Sequence, residues 1–122
     1  VATSGAYNKT LTPFGFQSER RSIWNAPDVY RKASPFFFAD TLKTPILLVH
    51  GAEDANPGTT PLQSKTLYEA IRGNGGTTRL VMLPYEPHWY AAQESNEQLA
   101  YEMVRWFDKY VKNTSASGKA AD

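Results

Sequence analysis

Two short stretches of this 122-residue chain set acids and histidines just beyond apolar runs. Leu47-Leu48-Val49 runs into His50-Gly51-Ala52-Glu53-Asp54, and Leu80-Val81-Met82-Leu83 runs into Pro84-Tyr85-Glu86-Pro87-His88. A buried carboxylate that accepts the Nδ1 proton of an imidazole fixes its tautomer and stabilises its charged form, which is what a general base serving a hydroxyl nucleophile requires. Asp54 is the candidate acid and His88 the candidate base, provided that the two runs are neighbouring strands. Taken singly, Asp54 could instead cap a helix that starts near Thr60. His50 closes its strand and reads as structural, its ring hydrogen-bonded to nearby backbone, and Glu53 and Glu86 read as solvated loop acids. His50, Asp54 and His88 have ligand types that suit zinc, but no short H-x-x-x-H spacing is present, so no metal is expected.

The elements that must position these residues are legible in part. Pro45-Ile46-Leu47-Leu48-Val49 is continuously apolar rather than alternating, as a strand buried on both faces is, and Arg79 to Leu83 is a second such strand. Between them Leu62, Thr66, Leu67, Ala70 and Ile71 recur at helical spacing until Gly73-Asn74-Gly75-Gly76. Leu99, Met103, Trp106, Phe107 and Tyr110 predict an amphipathic helix over about 91 to 112, with its aromatics in the core. Val1 to Gly5 reads as the end of a strand. Residues 6 to 38 are irregular and aromatic-rich, with short helices expected at about 18 to 25 and 28 to 33, the latter opened by Pro27. Phe36-Phe37-Phe38 reads as a core plug. The order predicts an α/β fold, a parallel sheet with flanking helices, spanning 1 to 112, with a mobile polar tail over 113 to 122. Three strands make less than a whole doubly wound sheet, so the chain reads as the later piece of something longer.

Composition narrows the partners. Lys and Arg number 13 against 12 Asp and Glu, and the positive charges form no block, so neither nucleic acid nor an anionic membrane is indicated. No apolar run approaches the roughly 18 residues of a membrane span. With no cysteine there is no thiolate nucleophile and no disulfide framework, and the compartment stays undetermined. No cofactor is implied.

In α/β-hydrolases the triad members come in the chain order Ser, Asp, His, with the Ser on a G-x-S-x-G elbow. Acid before histidine, with a helix and a strand between, fits the last two. No such elbow surrounds Ser4, Ser18, Ser22, Ser34, Ser64 or Ser95. The nucleophile is therefore expected upstream of Val1, and the chain alone is expected to be inactive.

The segment from Thr44 to Tyr110, with Leu47 to Asp54 and Pro84 to His88 as its motifs, resembles the C-terminal end of the prolyl oligopeptidase family of serine peptidases. The run from Ser4 to Gln17, "SGAYNKTLTPFGFQ", and Asn56-Pro57-Gly58-Thr59 followed by Gln63-Ser64 are similar to the family's glutamyl endopeptidase branch. The resemblance implies the C-terminal portion of an α/β-hydrolase fold, incomplete on its own, in which Asp54 and His88 serve as triad acid and base. It further implies a peptide substrate, a Ser and an oxyanion hole in an upstream half of the domain, and a β-propeller ahead of that. Tyr7, Phe14 and Phe16 would line the pocket for the residue whose carbonyl is attacked, and Asn56 would help to shape it. A preference for Glu would need a cation, for which Arg20 and Arg21 are the candidates because a guanidinium binds carboxylate bidentately, with Lys9 in competition. The family generally has Gly after the histidine, where this chain has Trp89; a position needing φ > 0 would strain so bulky a residue. The rival readings are a non-peptidase ester hydrolase of the same fold, and a non-catalytic interaction module that lacks the nucleophile.

Overall fold

Leu47, Leu48 and Val49 are all fully buried because their strand is the middle one of three. The computed structural model describes residues 1 to 113. The strands β1 (Ala2–Thr3), β2 (Ile46–Gly51) and β3 (Thr78–Leu83) form one sheet in the order β1-β2-β3, both pairings parallel. The register sets Leu48 opposite both Ala2 and Leu80, and Gly51 opposite Leu83. The loops that carry Asp54 and His88 thus leave the same end of adjacent strands, where parallel sheets collect functional groups.

Each face of the sheet has its own apolar layer, which is why the β2 sequence does not alternate. Leu48 packs with Tyr7, Ala39, Leu67 and Ile71, beneath α2 (Leu62–Gly73). Leu47 and Val49 pack with Val81 and Leu83, against Tyr90 and the Leu99, Met103 and Trp106 side chains of α3 (Gln93–Phe107). A π-helical turn, Asp108–Lys112, follows α3. Not all of the aromatics on that helix are core: Phe107 is exposed. Among the described residues no helix is long and apolar enough to cross a membrane.

The irregular segment departs from expectation at one element. A helix, α1, forms at Pro27–Lys32, but none forms over 18 to 25. There Glu19 turns back on Phe16 in a backbone bridge, and its carboxylate accepts the Arg21 N–H at 2.8 Å, a local bond that competes with helical pairing. Gln17, at φ 50°, interrupts helical backbone just before. Phe36 and Phe37 are only half-buried and Phe38 is exposed, with Arg31 over the Phe37 and Phe38 rings, so this trio rims the core instead of plugging it. The tail expected over 113 to 122 lies outside the described residues beyond Asn113.

Backbone pairing continues past the strand ends. Ala52 N–H donates to the Leu83 carbonyl at 2.8 Å and Glu53 N–H to the Glu86 carbonyl at 3.0 Å, which ties the two loops together. Gly51 makes this approach possible: a Cβ there would run into the backbone carbonyl oxygens of Glu86 and Pro87. Gly51→Ala is therefore expected to destabilise the fold by about 1–3 kcal/mol, the usual range for forcing an extra carbon into a packed site. A urea midpoint unchanged from wild type would show that the loops are not held this closely.

Candidate active site

Asp54 follows β2 by three residues and has no exposed side-chain surface. Its Oδ1 accepts the Asn56 N–H at 3.0 Å, and three groups converge on Oδ2: His88 Nδ1 at 2.9 Å, His50 Nε2 at 3.1 Å and Thr59 Oγ1 at 3.2 Å. A carboxylate only accepts, so His88 Nδ1 carries a proton and Nε2 is the nitrogen left to take one. His88 is partly exposed at 27% of its side chain, so it faces outward while its acid partner is sealed. Thr59 Oγ1 also lies 3.0 Å from His88 Nδ1 and so touches both members of the pair.

The partners of His50 fix its tautomer too. Its Nε2 meets two acceptors, Asp54 Oδ2 and the Thr59 carbonyl at 2.6 Å, so the proton resides on Nε2. Its Nδ1 then accepts the Ser64 hydroxyl at 2.6 Å. The ring is fully buried and bonds side chains as well as backbone, which makes it a brace between Asp54, the 56–59 loop and α2.

Burial, the largest single influence on Asp54, works to raise its pKa; the His88 hydrogen bond, the Asn56 N–H, the charge of His88 and the Thr59 hydroxyl more than offset it and hold the carboxyl below its usual range. The folded state therefore binds that proton less tightly than the unfolded chain, so the stabilisation is complete above the ordinary carboxyl range and is lost as pH falls through the lowered value. Glu86 and Glu102 are lowered likewise. Urea midpoints are expected to fall as pH drops below about 4, with a shallower fall in Asp54→Asn. An Asp54→Asn variant whose acid limb matched wild type would contradict this.

Glu86 is not a solvated loop acid: it is buried. Its carboxylate accepts the Ala91 and Ala92 N–H groups at 2.8 and 3.0 Å, donors at the N-cap of α3 and the residue before it. The His88 loop is thereby moored to α3. Tyr90 moors it to the sheet, donating to the Val49 carbonyl at 3.2 Å while accepting the Ser4 hydroxyl at 2.7 Å. Trp89 has no positive φ and is 80% exposed; the left-handed residue of this loop is Tyr85, at φ 62°. The bulk of Trp89 therefore strains nothing.

The expected substrate-side residues separate. Phe16 and Asn56 line one cavity of about 350 Å³, with Lys9, Gln17, Gly58 and Thr59. Tyr7 is buried in the core and is not among the residues lining that cavity. Phe14 is 78% exposed and packs on Trp24. Arg21 is held by Glu19 through two side-chain bonds of 3.0 and 2.8 Å, and Arg20 is exposed outside the cavity. Thr59, given no role from sequence, proves to be the residue shared by this cavity and the Asp54–His88 pair.

A sequence profile described as the "Prolyl oligopeptidase family" matches residues 3–114. The chain is 51% identical over 123 residues to "Probable glutamyl endopeptidase, chloroplastic" of Arabidopsis thaliana, a match covering 100% of this chain and 13% of the relative. It is 48% identical over 116 residues to the protein of the same description in Oryza sativa subsp. japonica, covering 95% of this chain and 12% of the relative. Among solved structures, dipeptidyl peptidase 4 of Porphyromonas gingivalis superposes with a TM-score of 0.78 at 14% identity, over 90% of this chain and 16% of that one. The fold is that of part of an α/β-hydrolase, and the chain spans about an eighth of the length of the curated relatives.

Proposed function

As the chain belongs to the prolyl oligopeptidase family, we propose that it supplies the acid and the base of a serine peptidase whose nucleophile lies in a longer protein. His88 Nε2 takes the proton of a serine hydroxyl as that oxygen attacks a peptide carbonyl, and then returns it to the departing amine. Asp54 keeps the imidazole in the Nδ1–H tautomer and stabilises the imidazolium. His50 and Thr59 hold the carboxylate in place. The oxyanion hole, like the serine, comes from outside this chain. The reading is carried by one observation: a sealed Asp54 carboxylate 2.9 Å from Nδ1 of a half-open His88, beyond adjacent parallel strands. The finer preference, for cleavage beside Glu, rests on the description given to the plant relatives.

The test is made on the full-length protein. A fluorophosphonate is expected to label one serine, and peptide hydrolysis to disappear with labelling. Turnover of acyl esters without any peptide cleavage would favour the ester-hydrolase alternative, and the absence of both label and turnover would leave the non-catalytic module.

A further inference from the structure

We propose that the cavity beside Thr59 seats an acidic side chain of the substrate and that the Lys9 ammonium is the cation that selects it. This rests on the peptidase reading and goes beyond it by assigning specificity to one residue. Lys9 is half-buried in the cavity wall, its Nζ 5.2 Å from the centre of the Phe16 ring, and burial holds its pKa below the ordinary lysine value. No carboxylate among the described residues pairs with it, and no Asp or Glu lines the cavity. A partly desolvated ammonium facing only a ring and neutral groups is a costly arrangement that an incoming carboxylate would relieve. Asn56 adds a neutral donor: its Oδ1 accepts the Gly58 N–H at 3.2 Å, which leaves its amide NH₂ for a ligand.

Position supports the same assignment. Thr59 lines the cavity and touches both His88 and Asp54, so a side chain seated there belongs to a residue held at the chemistry. A basic side chain would meet Lys9 with like charge. The arginines do not compete, because Arg21 is neutralised by Glu19 and neither Arg20 nor Arg21 lines the cavity.

The experiment uses the full-length protein and matched peptides, blocked at both ends, that differ only in Glu or Gln as the residue giving the scissile carbonyl. Lys9→Met and Lys9→Gln are expected to lower the Glu-to-Gln ratio of kcat/KM by about 100-fold, with the Gln peptide cleaved at close to the wild-type rate, whereas Lys9→Arg keeps the preference. The Gln peptide reports folding in every variant. An unchanged ratio in both neutral variants overturns the assignment while leaving the peptidase reading intact; so does a preference lost instead in Arg20→Met or Arg21→Met. Wild-type protein that cleaves neither peptide overturns the peptidase reading, and this assignment with it.

Discussion

Replacing His88 by alanine in the full-length protein is expected to lower kcat by about 10⁶-fold with little change in KM, the scale seen when a hydroxyl nucleophile loses its base. The size follows from geometry. His88 is the imidazole that combines a sealed acid on Nδ1 with partial exposure; His50 has both ring nitrogens occupied and no exposed surface. Asp54→Asn is expected to cost about 10⁴-fold by a different route. Four donors point at the two carboxylate oxygens, and an amide in that place must turn its own N–H groups toward donors, so His88 loses the acceptor that fixes its tautomer. Steady-state kinetics alongside thermal unfolding separates lost chemistry from lost fold. A folded His88→Ala protein retaining a tenth of wild-type kcat would remove His88 from the base role.

His50→Leu should unfold the chain at markedly lower urea, by about 3–5 kcal/mol, although leucine fills much of the same space. The change strips a donor from a buried carboxylate and from the Thr59 carbonyl, and an acceptor from the Ser64 hydroxyl, at a site where His50, Asp54 and Ser64 are all buried. His50→Gln should recover part of this, since a glutamine amide can still donate toward Asp54 and Thr59. A loss below about 1 kcal/mol in the leucine variant would mean that the ring contributes packing only.

How much of this was legible before the structure depends on the range of the interactions involved. The β2–α2–β3 unit could be read because unbroken apolar runs and a helical stripe are local signals, and so could the meeting of Asp54 and His88, once the two runs were taken as neighbouring parallel strands. Glu86 reads as solvated in the sequence because its partners, the N–H groups of Ala91 and Ala92, reach it only once the chain turns into α3. The failed helix over 18 to 25 is a case of a side chain overriding propensity, Glu19 bonding Arg21 within the turn. Thr59 has no role legible in the sequence, because its contacts with Asp54 and His88 need both loops in place. Lys9 and the arginines could not be ranked until Glu19 was seen to occupy Arg21.

Asp54 and His88 ride on a single β-α-β crossover, whereas the cavity wall is shared between that crossover and the separate segment from Lys9 to Gln17. In the currency of descent, Asp54 and His88 are one heritable block. A recombination joint anywhere ahead of Ile46 passes both on in one piece, while a joint between Asn56 and Pro87 separates them. On the proposed reading, selectivity is not locked into that block. On that reading, substitutions at Lys9, Phe16 or Gln17 would re-tune which side chain is accepted without touching Asp54 or His88, so lineages sharing the pair would be free to diverge in diet.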